Sequence, residues 1–303
     1  MIEVFFAGMH LKNPTVLASG ILGLGGKMLC RVALEGGAGA VTMKSIGPTP
    51  RNGNNNPTIL ALDHGLINAV GLPTPGYKNL EEEWSELKQC SVPVIASVFG
   101  GSLEEFVEVT ENVAQRNPAM IEMNISCPNT KEHGMLFGVE PESAAAVVSA
   151  VKNAAGKIPV MAKLTPNTHK FVAVGKACVE AGADALCAIN TVGPGMAINI
   201  DAEKPVLAFK TGGLSGPAIK PIAVRCVYQL YKEVQVPILG LGGVTYGKDA
   251  IEMVMAGATA VGIGTGVYYR GIGVFKEVAD EMRQWMEQHG YKSLKDLRGK
   301  AHE

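Results

Sequence analysis

Short runs of aliphatic and β-branched residues alternate with longer stretches whose apolar positions recur at helical spacing, and this alternation continues along almost the whole chain. The apolar runs predict strands at residues 15–18, 40–43, 94–97, 120–124, 160–164, 185–189, 238–240 and 260–263. Helical patterns such as 103–116, 142–155, 170–181 and 248–256 fall between them. Eight β/α units in 303 residues predict an α/β fold, a (β/α)8 TIM barrel, with residues 1–303 forming one domain. Gly39-Ala40, Gly182-Ala183-Asp184-Ala185 and Gly257-Ala258-Thr259-Ala260 stand just before strands, where glycine stops a helix and opens a tight αβ turn. Residues 3–6 and 9–11 flank Ala7-Gly8 and predict a small N-terminal hairpin capping the bottom of the barrel. Two connections, 45–83 and 190–220, are too long for a minimal barrel, and insertions of this kind build a site or a lid over the C-terminal face.

Barrels of this type carry their chemistry at the C-terminal ends of the strands, so the residues found there matter most. In order round the barrel these are Ser19-Gly20, Lys44-Ser45, Ser97, Asn124, Lys163, Asn190-Thr191, Gly242-Gly243 and Gly264-Thr265. Any one of them reads more readily as a turn residue or a solvated strand end; the full set of eight does not. Glycines after strands seven and eight occupy the usual phosphate cradle of the fold, which suits a phosphorylated substrate or flavin mononucleotide (FMN). The fourth strand runs into Asn124-Ile-Ser-Cys-Pro-Asn129, a thiol between two carboxamides. Cys127 in that setting can remove a weakly acidic proton, and each asparagine offers a donor and an acceptor to a ring carrying C=O and N–H groups.

Composition narrows the ligand class. A net charge of −1 with no Lys/Arg run supplies no basic field for nucleic acid and points to a small neutral or anionic substrate. The N-terminus lacks the basic and apolar regions of a signal peptide, and no run approaches the ~18 apolar residues of a membrane helix, so a soluble cytoplasmic protein is expected. Cysteines at 30, 90, 127, 178, 187 and 226 are scattered without a Cys-x-x-Cys pair, which predicts neither a disulfide framework nor a zinc or iron–sulfur site held by this chain. The histidines contain no His-x-His or His-Glu-x-x-His, and no metal site is expected.

An ordered set of motifs carries a family resemblance over nearly the whole length. It comprises Leu11-Lys-Asn-Pro14 with Ala18-Ser-Gly20, Thr42-Met-Lys-Ser45 followed by Pro50-Arg51 and Gly53-Asn54, and Asn68-Ala-Val-Gly-Leu72. It continues with the Cys127 motif, Lys163-Leu-Thr-Pro166, Asn190-Thr191, Gly213-Leu-Ser-Gly-Pro217 with Lys220-Pro221, and the two glycine loops. With these the chain resembles the class 1 dihydroorotate dehydrogenases, and most closely their class 1B catalytic subunit. Thr191, where class 1A has Ser, and the absence of a Pro-Gly-Lys-Pro type of sequence in residues 130–137 favour class 1B. Serine as the base and an N-terminal anchor, which mark class 2, are both missing from the pattern.

The resemblance implies FMN-dependent oxidation of (S)-dihydroorotate to orotate in pyrimidine biosynthesis. Cys127 matches the base that takes the C5 proton while C6 delivers a hydride to FMN. Lys44, Asn68, Ala69, Val70, Gly71, Leu72, Asn124, Asn129, Asn190 and Thr191 match substrate-binding positions, with Lys44 toward the carboxylate. Ser19, Lys44, Ser45, Asn124, Lys163, Ile189, Gly216, Gly242, Gly243, Gly264 and Thr265 match FMN positions, and Lys163 would offset negative charge on the reduced ring. Ser97 stands where class 1B members often carry Asn, and Pro73-Thr74 replaces a more polar pair in the substrate loop. The resemblance further implies a homodimer within a heterotetramer, whose partner subunit carries FAD and a [2Fe–2S] cluster and passes electrons to NAD.

Four other readings compete. A dihydropyrimidine dehydrogenase-like barrel shares the flavin site, but its substrates lack the carboxylate that Lys44 would meet; a class 1A enzyme would use fumarate. A dihydrouridine synthase would call for a basic surface, and a non-catalytic phosphate-binding barrel would carry no flavin.

Overall fold

The computed structural model describes residues 2–23, 25–125 and 137–303. A hairpin pairs β1 (Val4–Phe6) with β2 (Met9–Leu11), and the barrel begins with β3 (Thr15–Leu17) and β4 (Ala40–Thr42). The first long connection holds β5 (Ile59–Leu62) and β6 (Gly65–Asn68). The barrel resumes with β7 (Val94–Val98), β8 (Met120–Asn124), β9 (Val160–Leu164) and β10 (Ala185–Ala188). The second connection holds β11 (Val192–Gly195), β12 (Ile198–Asn199), β13 (Lys204–Pro205) and β14 (Gly212–Ser215), after which β15 (Ile238–Leu241) and β16 (Ala260–Ile263) complete the barrel. The hydrogen-bonded order β3-β4-β7-β8-β9-β10-β15-β16 is parallel throughout and closes on itself, as the β/α alternation predicts.

Helices α1 (Gly26–Leu34), α2 (Glu81–Leu87), α3 (Leu103–Ala114), α4 (Pro141–Ala155), α5 (Phe171–Glu180), α6 (Lys220–Glu233), α7 (Gly247–Ala256), α8 (Gly266–Arg270), α9 (Val274–Gln288) and α10 (Leu294–Leu297) cover the outside. Each longer helix turns one apolar stripe inward; on α3 this is Phe106, Val109 and Val113, and the side chain of Ser102 caps its first turn. Burying each such side chain contributes about 1.5–3 kcal/mol.

Strand alternation sets the interior. On β8, Ile121 and Met123 face the helices, whereas Met120 packs inside the barrel with Ile95, Met161, Cys187 and Leu239. Phe6, Met9 and Leu11 join this inner cluster, so the N-terminal hairpin plugs the bottom, as expected. At the opposite end the two long connections fold together: β11, β14, β6 and β5 form one four-stranded antiparallel sheet in which Asn68 pairs with Gly213.

One expectation is corrected. Cys30 on α1 and Cys90 beyond α2 form a disulfide across 60 residues, with Cα atoms 4.9 Å apart, although the scattered cysteines predicted none. Spacing in sequence carries no information about which helices pack as neighbours, and α1 lies against α2.

Near the same contact, burial pushes the Glu83 carboxyl up to about 7, the charge of Glu86 adding to the effect, and Glu83 Oε1 has no hydrogen-bond partner among the described residues. The folded chain thus binds a proton that the unfolded chain releases near 4.5, so this group's contribution is fully present below that pH and is lost as pH rises to about 7. Glu83→Gln should leave thermal stability unchanged at pH 4 and raise it at pH 8 by roughly 1 kcal/mol, after discounting for partial exposure. A Tm difference that is the same at both pH values would contradict the assignment.

Candidate active site

The C-terminal ends of the barrel strands and the inserted sheet enclose a cavity of about 260 Å³. Parallel neighbours in register point to the same side of the sheet, so Ser97 beside Glu122, Asn124 beside Lys163 and Lys163 beside Cys187 all share the interior face. The interior therefore turns from apolar at the level of Met120 and Met161 to polar above it. Ser97, fully buried, hydrogen-bonds Ser45 at 2.9 Å, and Ser45 accepts from Asn124 Nδ2 at 3.2 Å. Ser19 donates to the Met43 carbonyl at 2.7 Å. These bonds fix Asn124 against the floor of the cavity and account for Ser97, which supports the site from beneath and does not line it.

Of the residues singled out from sequence, Ser19, Lys44, Ser45, Asn68, Val70, Gly71, Leu72, Asn124, Lys163, Ile189, Asn190, Thr191, Gly216, Gly242, Gly243, Gly264 and Thr265 all line this one cavity. Ala69 does not. It is buried with Ile67 and Leu207 in a small separate core beneath the inserted sheet, because the period-2 alternation that aims Asn68 and Val70 at the cavity turns Ala69 away. Cys127 and Asn129 lie outside the described residues, three and five positions beyond β8.

Asn167 and Ser215 also line the cavity and were not singled out. Asn167 Nδ2 donates to the Thr191 carbonyl at 3.1 Å and its Oδ1 accepts from Gly193 N–H at 2.9 Å, pinning the loop that carries Asn190 and Thr191. Ser215 accepts from Thr265 Oγ1 at 2.8 Å. Each sits within or next to a motif already legible in sequence, one residue after Lys163-Leu-Thr-Pro166 and inside Gly213-Leu-Ser-Gly-Pro217.

Three glycine turns meet at one end of the cavity. Gly216, Gly242 and Gly243 all have positive φ, at 93°, 136° and 78°. A Cβ on Gly243 would stand 2.6 Å from Lys220 Cβ and 3.0 Å from the Gly216 carbonyl oxygen, and one on Gly216 would lie 3.1 Å from Thr265 Cγ2. Backbone from the ends of β14 and β15 therefore comes together where no side chain would fit, the construction a phosphate cradle requires. Asp249 braces it by accepting from the Thr245 and Tyr246 N–H groups at 3.0 and 2.9 Å and by pairing with Lys220 at 2.8 Å.

Among the described residues the lining contains two lysines, Lys44 and Lys163, and no carboxylate, which suits an anionic ligand. Lys163 is 5% exposed and its Nζ lies 3.8 Å from Oε1 of Glu122, itself 1% exposed and set below the cavity. Buried Cys178, Cys187 and Cys226 are poor bases: burial raises each thiol, Cys178 to about 12, and for Cys187 the charge of Glu122 adds to it.

The dihydroorotate dehydrogenase family model matches residues 1–286. The chain belongs to the dihydroorotate dehydrogenase family. As a member it is an oxidoreductase of pyrimidine biosynthesis that acts on dihydroorotate. It is 48% identical over 297 residues to a Methanosarcina mazei protein named dihydroorotate dehydrogenase B (NAD(+)), catalytic subunit, covering 98% of this chain and 94% of the relative. A Methanocaldococcus jannaschii protein of the same name is 48% identical over 307 residues, covering 100% and 99%. The fold matches a crystal structure of an Eimeria tenella dihydroorotate dehydrogenase in complex with ferulenol, with a TM-score of 0.85 at 24% identity, over 99% of this chain and 88% of that one. No helix among the described residues is long and apolar enough to cross a membrane.

Close approach at the inserted sheet gives a direct test of this geometry. A Cβ on Gly213 would fall 2.2 Å from Thr191 Oγ1, whereas one on Gly264 would meet nothing nearer than 3.6 Å. Gly213→Ala should lower stability by about 2 kcal/mol or more and Gly264→Ala by much less, as read by thermal unfolding. Equal losses would mean that β14 does not press on Thr191.

Proposed function

We propose that this chain is the FMN-bearing catalytic subunit of a class 1B enzyme, with residues 1–303 acting as one FMN-binding unit. The observation that carries the reading is the meeting of Lys44, Asn68, Asn124, Lys163 and Asn190 with three glycine turns around a single cavity. Bound FMN would supply a two-electron acceptor for the hydride leaving C6 of (S)-dihydroorotate. The residues fit that cofactor: the turns at Gly216, Gly242-Gly243 and Gly264-Thr265 suit its phosphate, and Lys163 places a second positive charge, besides Lys44, in the cavity wall.

The remaining roles follow from residue chemistry. Lys44 meets the substrate carboxylate with its ammonium group. Asn68, Asn124, Asn129 and Asn190 pair with the C=O and N–H edge of the ring, since a carboxamide both donates and accepts without adding charge. Cys127 removes the C5 proton; an ordinary thiol titrates near 8.5, so a modest lowering by a neighbouring cation makes it a base at neutral pH. The segments flanking the inserted sheet, through Val70, Gly71, Leu72 and Thr191, cover the cavity and exclude water from the reacting atoms. The words "NAD(+)" and "catalytic subunit" in the relatives' names support a second subunit, which we assign FAD and a [2Fe–2S] cluster, in a cytoplasmic heterotetramer built on a homodimer of this chain.

Cys127→Ala should retain FMN and lose reduction of the flavin by dihydroorotate, followed by absorbance without oxygen, by at least about a hundredfold. Cys127→Ser should recover part of that loss as pH rises. Reduction of the Ala variant at near the wild-type rate would remove Cys127 from the mechanism. Lys44→Ala should weaken orotate binding, read from the shift in flavin absorbance, by roughly tenfold or more; unchanged affinity would exclude the carboxylate contact.

A further inference from the structure

Glu122 has no place in the roles assigned above, yet it sits in the middle of the barrel. It is 1% exposed, its Oε1 has no hydrogen-bond partner among the described residues, and it approaches Lys163 at 3.8 Å as an ion pair. A carboxylate so placed weakens a fold: desolvation is costly, and buried pairs replaced by apolar side chains often leave proteins equally or more stable. The barrel shows what it uses when filling is the sole requirement, since the next interior positions down on the same two strands are Met120 and Met161. A buried negative charge kept directly beneath the lysine of the cavity wall calls for an electrostatic explanation.

We infer that Glu122 is a positioning residue that balances the charge of Lys163 and thereby sets the reduction potential of the bound flavin. The inference rests on the FMN reading above. With an uncharged ring in the cavity, Glu122 neutralises an ammonium group that is 6% exposed at its side chain and holds it in the wall. When negative charge arrives on the cofactor, Lys163 lies between two anions and attracts the new one, while Glu122 opposes it. The carboxylate therefore holds the potential below the value that Lys163 alone would give. It acts through the lysine and through space and does not line the cavity.

The test is the two-electron midpoint potential of FMN in the purified holoprotein, measured against reference dyes without oxygen. Glu122→Gln should raise the ratio of reduced to oxidised flavin at a fixed potential roughly tenfold, about 30 mV for a two-electron couple. Glu122→Asp, which retains the charge, should stay within about threefold of wild type, and Lys163→Met should move the opposite way. A purely structural role would lower the Tm of Glu122→Gln without moving its potential. Should Glu122→Gln not hold the fold, Glu122→Met carries the same test, filling the space as Met120 and Met161 do, and must show the same upward shift. An unchanged or lowered potential in the neutral variants, with Lys163→Met displaced, overturns the role of Glu122 alone. No flavin in the wild type, or no shift in Lys163→Met, overturns the FMN placement itself.

Discussion

A closed barrel gives every strand an inward face that no helix can cover, and the level at which that face changes from apolar to polar determines where chemistry can occur. Below the change, Phe6, Met9, Leu11, Ile95, Met120 and Met161 fill the interior without polar atoms. Above it stand Ser45, Ser97, Glu122, Asn124 and Lys163, tied by hydroxyl hydrogen bonds and one buried ion pair. Groups held this way keep their directions when a ligand arrives, because their partners are strands of the barrel and not solvent. The site is a continuation of the core by other residue types.

The walls come from different physics. On the proposed reading, phosphate recognition needs backbone close to the ligand, and the glycines at 216, 242 and 243 supply it where a Cβ would collide with Lys220, Ala223 or Gly65. Substrate enclosure needs a roof, and the two long connections make one by pairing with each other, Asn68 opposite Gly213 and Leu66 opposite Ser215. Folding the roof from two connections joins the loop carrying Asn68 to the strand that precedes the Gly216 turn. The proposed substrate side and phosphate side therefore share a sheet.

Much of this was legible in the sequence, for identifiable reasons. Strand and helix bounds fall within a residue or two of the periodicity because parallel strands buried on both faces read as continuous apolar runs, as in Val160–Leu164. The eight polar strand ends were legible because the fold rule that locates them is independent of sequence detail. The pairing of the inserted strands was not, since contact between Asn68 and Gly213 spans 145 residues and leaves no local trace. Cys30 with Cys90 was hidden for the same reason. The burial of Ala69 away from the cavity was legible: alternation along Ile67-Asn68-Ala69-Val70 already places it opposite Asn68. Glu122 was passed over inside an apolar strand run, where a lone carboxylate is the informative residue.

The central claim is that this cavity holds a flavin that exchanges electrons with dihydroorotate directly and with a nicotinamide only through another subunit. The chain lacks a strand-borne Gly-x-Gly-x-x-Gly sequence for a dinucleotide, and the polar strand ends other than Ser97 line the one cavity. The most direct measurement is absorbance of the isolated protein mixed, without oxygen, with dihydroorotate in one experiment and with NADH in another. Dihydroorotate should bleach the flavin band within seconds while NADH leaves it oxidised over the same interval. Bleaching by NADH as fast as by dihydroorotate, or a purified chain with no flavin band, would contradict the account.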